Sequence, residues 1–479
     1  MPLRTDSRDQ AWLLPPTLDE LIAATHPSRF VRAFVDGLER SDWEAMEIAL
    51  DGNPKGAPAY DPRALLSVWL YGFMTGVRSS RKLEQACRDC IPYLWLTGLQ
   101  QPDHNTLWRF YQTNRQQLRR LLKQTVRIAL DLDLVDLAVQ AVDGTRLAAN
   151  ASRDRMFNTA GVQRLLDRVD AAIADLEAQN KESDVASVPQ LPEQLSDAKA
   201  LKERIEQAQQ RLKDGERTWV NLTDGDASLV RSHPRVIVGY NCQAVVSPVQ
   251  RGASTGLLIT AAEVATASND QGQLAPMIQA ARATVGAVEV TAADAGYHSG
   301  QNLETCAALQ QRIVMPEATS KDVRENPYHK DRFVYDASTD TYRCPEGKTL
   351  RFVGAKHKQG VGLLRGYRAS PADCVACPAF GRCTKNRRLG RRLDIRPTDQ
   401  ALRTHRRWMQ TEEAKRLYHR RKELVEPAFG ILKEQLGARR LLLRGFARVR
   451  AEWSLLAVAL NLRTLWKLTA TAEPGAAAA

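Results

Sequence analysis

Apolar residues recur at helical spacing through roughly the first 135 residues. Short, strand-like apolar runs then take over, so the chain reads as a helical front followed by a mixed α/β body. In the front, Thr17 and Glu20 of PPTLDEL form a capping box that predicts a helix start. RALLSVWLYGFMTGV (63–77) is apolar nearly all round and predicts a buried helix. SSRKLEQACRDC (79–90) opens with serines suited to a cap. Asp103 suits the N-cap of one long helix through PDHNTLWRFYQTNRQQLRRLLKQTVRIALDLDL, with Arg and Lys, Arg109 among them, along one side. Short helices with a basic final one fit a helix-turn-helix-like DNA reader and equally a plain helical bundle. Cys87 and Cys90 make a CxxC on this helical stretch with no second pair nearby, and read as core cysteines.

The pattern changes at residue 136. LAVQAVDG predicts a short strand ending at Asp143, followed by a glycine turn. Two amphipathic stretches, 161–179 and 195–216, joined by the Pro- and Ser-containing ESDVASVPQLPEQ, predict an antiparallel helical hairpin over 160–218. VIVGYNCQAVVSP (236–248) and GLLITAAEVATAS (256–268) predict two strands about a short turn. A helix (270–286) comes next, then a buried strand (287–294) ending at Asp294, a helix, and a strand at 312–318. A long helix bearing Glu426 comes later. Carboxylates at the ends of two strands can meet in one cleft of such a sheet.

Between the last strand and that helix lies a loop-rich insertion, 319–400. Cys344 stands in RCPEGK, and Cys374, Cys377 and Cys383 stand in ADCVACPAFGRC. Four thiols as CPxG…CxxC…C among turn residues fit a structural zinc site of zinc-ribbon type. The expected division is 1–135, a helical N-terminal DNA-binding domain; 136–318, the first part of the core; 319–400, the insertion; 401–468, the core's C-terminal helices; and 469–479, a disordered tail.

Charge sharpens this picture. Residues 381–450 hold 21 Lys and Arg against 7 Asp and Glu, while the net charge of the whole chain is +13. The rest of the chain therefore carries no positive excess, and a polyanionic partner is expected around Glu426. On a regular helix Lys422, Glu426 and Lys433 share one face. No signal peptide is evident in MPLRTDSRDQAWLLPP and no apolar run reaches a membrane span, so a cytosolic protein is expected. Eight cysteines in 479 residues do not suggest a disulfide framework.

Asp143, Asp294 and Glu426 thus form an acid-only set suited to Mg²⁺ or Mn²⁺. Two such ions can activate an attacking oxygen and stabilise a leaving one at phosphorus. At this point the chain resembles bacterial insertion-sequence transposases with an RNase H-like DDE core, of the group with a helical N-terminal domain and a cysteine-rich insertion. The resemblance runs over about residues 12–467. It rests on SSRKLEQAC, PDHNTLWRF, VDGTRLAANAS, VGYNCQAVV, NDQGQLAPM, TAADAGYHSG, RRKELVEPAFGILK and LLRGFARVRAEWSLLAVALNL.

The resemblance implies that Asp143, Asp294 and Glu426 are the metal ligands. It implies metal-dependent cleavage at the element's ends, strand transfer into target DNA, and a homodimer on paired ends. In the related signature Y-x2-R-x3-E-x6-K, Glu426 and Lys433 keep the family spacing to each other, and Tyr418 and Arg421 keep theirs. Arg421 lies one residue too far from Glu426, with Lys422 in the expected arginine position. Pro427 is expected to bend the helix at Glu426. A nuclease without strand transfer and a non-catalytic DNA-binding protein are the competing readings.

Overall fold

The computed structural model describes residues 17–51, 59–182, 190–215, 217–232, 234–265, 269–317, 325–359 and 362–470. The expectations for the N-terminal 16 residues, the centre of the hairpin link and the tail from residue 471 lie outside the described residues. The chain divides into two compact units. One comprises residues 1–268, 277–287 and 422–479, the other 269–276 and 288–421.

The first unit is built on antiparallel strands β1 (Val139–Ala148), β4 (Ser228–Ser232), β5 (Arg235–Arg251) and β6 (Ser254–Ala265). A minor pair, β2 (Met156–Phe157) and β3 (Val220–Asn221), stands apart. β5 is the organising strand: β1 pairs along it, and β4 and β6 pair with it as well. Gly239 is required there, since a Cβ would sit 2.2 Å from the Leu147 carbonyl oxygen. β1 does not stop at Asp143. Pairing with β5 carries it through Gly144 to Ala148, so the expected glycine turn is absent and Asp143 sits mid-strand opposite Ala244.

A core helix, Phe446–Ala470, is buried on nearly every side from Val449 to Leu462. It packs on β6 and on the helices Pro62–Met74 and Leu121–Asp131, so front helices and sheet share one apolar partner. Two polar anchors fix its register. Trp453 Nε1 donates to the Gln243 carbonyl at 2.9 Å. The buried Asn461 accepts from Ile259 N at 2.7 Å and donates to Ile259 O at 2.8 Å and Thr125 Oγ1 at 3.0 Å.

Two expectations in the front change. The Thr17–Glu20 capping box forms, with bonds of 2.8 and 3.4 Å, but turns come after it. The first helix is Pro27–Asp36, where Pro27 supplies a preset φ just inside the start. The long helix expected from Asp103 is three pieces: His104–Asn114, a 3₁₀ turn at Gln117–Arg120, and Leu121–Asp131. The break lets Leu118 and Leu121 both be fully buried, so tertiary packing overrides local periodicity. The buried helix expected at 63–77 forms as Pro62–Met74.

The helical hairpin forms as expected, from Thr159–Glu182 and Gln190–Lys213. Val162, Leu166 and Val169 face Ile205, Ala208 and Leu212. Pairs Lys202–Asp170 at 2.7 Å and Lys199–Glu177 at 2.9 Å stitch its rim.

In the second unit, β7 (Val290–Ala293) and β8 (Arg312–Val314) pair in parallel through the crossover helix Gly300–Ala308. The helix Asp399–Met409 packs beside it and bonds β8 through Trp408 Nε1 to the Ile313 carbonyl at 3.0 Å. The insertion is not loop-rich. It is a five-stranded antiparallel sheet of β9 (Val334–Asp336), β10 (Thr341–Arg343), β11 (Thr349–Lys358), β12 (Gly362–Ala369) and β13 (Arg392–Ile395). Its small core of Phe333, Tyr342, Leu350, Tyr367, Leu393 and Ile395 lies under strands whose outward residues mix charges with exposed apolar side chains such as Val334, Phe352, Val353 and Leu363. That mixture blurred the alternation in the sequence.

One buried ion pair ties the first unit together. Arg78 Nη1 lies 2.8 Å from Glu452 Oε1, with the side chains 6% and 2% exposed. Arg78 also donates to the carbonyls of Gly437 and Arg440. Glu452 accepts from the backbone N–H groups of Leu442 and Leu443 at 2.9–3.0 Å. Burial pushes the Glu452 carboxyl up and the Arg78 guanidinium down, and each partner partly offsets the other. Removing one partner leaves a buried charge unmatched. Arg78→Met should therefore cost about 3–5 kcal/mol of stability by denaturant titration, and Glu452→Gln, which leaves the Arg78 charge without its counter-ion, should cost a comparable amount.

Candidate functional site

Asp143 is half-buried on β1, and its Oδ1 accepts from Gly144 N at 2.8 Å. Asp294 comes directly after the last residue of β7, as the strand pattern predicted. It caps a single 3₁₀ turn, Ala295–Tyr297, by accepting from Gly296 N at 2.8 Å. A Cβ at Gly296 would lie 3.0 Å from Asp294 Oδ1 and 3.7 Å from Asp270 Oδ2. The glycine of DAGY therefore keeps open the space beside two carboxylates. Asp270 was not singled out in the sequence, though it stands in the NDQGQL motif.

Glu426 is exposed on the helix Glu412–Gly430, which runs through Pro427 unbroken. The irregularity comes one turn later, in a π-helical turn, Ile431–Gln435, closed by Leu436 N to Ile431 O at 3.0 Å. A π turn takes in an extra residue and rotates the side chains beyond it about the helix axis. The face expected to carry Lys422, Glu426 and Lys433 together is therefore split. Lys422 and Glu426 are exposed, while Lys433 is half-buried. The helix ends at Gly437 in the left-handed conformation (φ +67°), with Ala438 N bonded to Leu432 O at 2.9 Å across the widened last turn.

The next loop docks on β1. Ala148 N donates to Arg439 O at 3.3 Å and Leu441 N donates to Ala148 O at 2.9 Å. Arg78 and Glu452 grip this same loop. Glu426 and Asp143, both in the first unit, are thus linked through a backbone held at both ends. Sequence reasoning missed Arg78 and Glu452, because a lone Arg and a lone Glu 374 residues apart carry no local signal.

Each aspartate has a protein cation in its own unit. Arg421, buried despite its charge, brings Nη2 to 3.9 Å from Asp294 Oδ2. Lys433 is influenced by both Asp143 and Cys242. Its pKa is nevertheless lowered, because burial outweighs their attraction. Tyr418 is half-buried on the carboxylate helix, and Arg109 is exposed on the helix His104–Asn114. Among the described residues, no group of three or more His, Cys, Asp or Glu side chains forms a cluster ready to hold a metal ion.

The four insertion cysteines line one cavity of about 20 Å³. Lys348 N donates to Cys344 Sγ at 3.2 Å and Arg391 N to Cys374 Sγ at 3.3 Å. Burial raises the Cys383 thiol pKa, Arg391 lowers it, and the other three cysteines push it further up. Cys87 is buried and Cys90 exposed, and all eight cysteines are free. No helix among the described residues is long and apolar enough to cross a membrane.

Comparison with known families gives two matches. Residues 343–466 match a family described as Transposase DDE domain, and residues 16–113 match one described as Transposase domain (DUF772). Glu426 and the four insertion cysteines fall inside the first match, and Asp143 and Asp294 fall between the two. No curated protein matches the sequence.

A lysine pKa lowered in the folded state means that the unfolded chain holds the proton more tightly. Charged Lys433 therefore costs stability below its folded pKa, and the cost fades as pH rises toward the unfolded value. Lys433→Met should raise the melting temperature at pH 7, with the gain shrinking toward pH 10. The same substitution should weaken DNA binding in an anisotropy titration.

Proposed function

We propose that the chain is a DNA transposase of the insertion-sequence DDE class, as the two matched transposase domains support, with Asp143, Asp294 and Glu426 its catalytic carboxylates within an RNase H-like core. The observation that carries this reading is the helix 412–430. It carries Glu426 inside the matched DDE span and in the chain's most basic region, and Asp294 follows directly on β7, although Glu426 faces solvent on a helix that runs unbroken through Pro427. The donor set is all carboxylate oxygen, which fits Mg²⁺ or Mn²⁺. The cations already beside two of the carboxylates, Arg421 and Lys433, support the reading, since they balance charge where metal ions would otherwise do so.

When bound, two divalent ions would supply an activated oxygen and stabilise the leaving one, first in hydrolysis at the element's end and then in attack of the freed 3′-OH on target DNA. The chain's own residues do the holding. Lys422, exposed beside Glu426, and Lys433, beside Asp143, are placed to take backbone phosphates. Arg421, 3.9 Å from Asp294, lies close enough to that carboxylate to yield it to an arriving metal. Tyr418 orients the same helix surface, and Arg109 offers a contact from the front helices. Two copies acting on paired element ends complete the reading. For the insertion cysteines a structural Zn²⁺ is the reading to test: the four line one cavity and two of them accept backbone N–H bonds, although among the described residues they do not already form a metal-ready cluster.

Asp143→Ala, Asp294→Ala and Glu426→Ala should each abolish Mg²⁺-dependent cleavage of terminal-repeat DNA while leaving DNA binding largely intact. Normal cleavage by any one variant would remove that residue from the set. Labelled donor ends should appear joined to target DNA, and cut but unjoined ends would instead indicate a nuclease. Elemental analysis should find one zinc per chain, lost in Cys374→Ser/Cys377→Ser. Zinc-free protein with an unchanged melting profile would refute the four-thiolate site.

A further inference from the structure

We propose that an arginine-lined groove at the root of the helical hairpin is an additional binding surface for the phosphate backbone of duplex DNA. The proposal rests on the transposase reading and adds a contact that the catalytic carboxylates and their helix do not provide. The groove lies wholly in the first unit. Its walls are the turn 150–155, the hairpin's second helix, the loop 220–226 after β3, and the segment 440–448 that leads into the core helix.

Two adjoining cavities, of about 420 and 520 Å³, share Arg204, Leu222, Thr223 and Arg444. Around them stand Arg155, Arg204, Arg211, Arg440, Arg444 and Arg448, against two acids, Asp224 and Asp226. Both acids are already committed. Asp224 is 3% exposed, accepts from Tyr240 Oη at 2.8 Å and takes Gly445 N at 3.1 Å. Asp226 pairs with Arg211 at 3.0 Å and accepts from Phe446 N at 2.8 Å.

Of the remaining arginines, two are held in place without being neutralised. Arg440 Nε donates to Ala149 O at 3.2 Å and Arg444 Nε to Asn150 O at 2.8 Å, which fixes both guanidinium planes through neutral carbonyls. Arg155 and Arg204 are exposed, with no carboxylate within salt-bridge distance among the described residues. Like charges gathered on three chain segments repel one another, and a polyanion removes that cost.

Charge placement elsewhere supports the assignment. Outside residues 381–450 the chain has no positive excess, so Arg155, Arg204 and Arg211 gather against an otherwise balanced background. On the hairpin's rim, by contrast, the lysines are matched by acids, as in Lys202–Asp170 and Lys199–Glu177. The lining offers one aromatic ring, Phe446, with Arg450 set 5.7 Å over it. With so little stacking surface, unpaired bases gain little, which favours a duplex backbone over a single strand.

The test uses the full-length protein and a 30-base-pair duplex of arbitrary sequence, followed by anisotropy between 50 and 300 mM KCl. Arg155→Ala/Arg204→Ala should flatten the slope of log affinity against log salt by about 1.8, or 0.9 per lost phosphate contact. Affinity at 150 mM should fall roughly tenfold. Arg164→Ala/Arg168→Ala removes the same charge from the hairpin's first helix outside the groove and should leave the slope unchanged. Thermal melting confirms that each variant folds, and Arg204→Glu, a single exposed change, should reproduce the loss if the double variant does not fold.

An unchanged slope in the groove variants overturns the proposal, as does an equal drop in the control pair. Tighter, arginine-dependent binding of a single strand than of the duplex also overturns it. If the unsubstituted protein binds duplex DNA normally while the groove variants match it, only the groove fails. Absence of any salt-dependent DNA binding would count against the transposase reading itself.

Discussion

The buried pair Arg78–Glu452 is the constraint on which the first unit depends. Two charges this deeply withdrawn from water are tolerable only when every polar atom around them is answered. Here the answers are backbone groups of a single loop. Arg78 satisfies carbonyls of Gly437 and Arg440, and Glu452 satisfies amides of Leu442 and Leu443. An irregular stretch that would otherwise bury unpaired peptide groups becomes a rigid connector. Because that connector also docks on the end of β1, the strand bearing Asp143 and the helix bearing Glu426 inherit a common reference frame from residues that touch neither carboxylate.

Electrostatics in the site depend on the same economy of placement. The π turn after Gly430 swings Lys433 inward, where it loses hydration, and leaves Glu426 and Lys422 facing out. A regular helix would have put all three on one side. One cation is thus set against Asp143 and another, Arg421, against Asp294, while the exposed carboxylate stays beside an exposed lysine. Each aspartate therefore has a cation of the chain itself near it.

Much of this was readable from residues alone. The hairpin, the all-round apolar helix at 63–77 and the strand ending at Asp294 come directly from periodicity and local turn chemistry. The misreadings share a physical cause. β1 continues past Asp143 because β5 offers partners up to Gly239, and pairing partners are not a local property. The helix after Asp103 breaks because Leu118 and Leu121 are drawn into the core. The insertion's strands went unseen because their core is small and apolar residues such as Val334, Phe352, Val353 and Leu363 also lie on their exposed faces, which blurs the alternation. The Arg78–Glu452 clamp, the approach of Asp270 to Asp294 across Gly296, and the arginine groove are all made by distant segments, so no window of sequence could reveal them.

Asn461 has a consequence beyond anchoring the core helix. Its amide gives and takes a hydrogen bond at the single residue Ile259, as a neighbouring strand would do. The outer margin of β6 is thereby terminated by a side chain in the middle of an apolar helix. A sheet finished in this way cannot recruit an extended segment from another chain at that point without unseating the helix beneath it. The cap is local to Ile259, and there it denies an incoming strand the hydrogen bonds it would need.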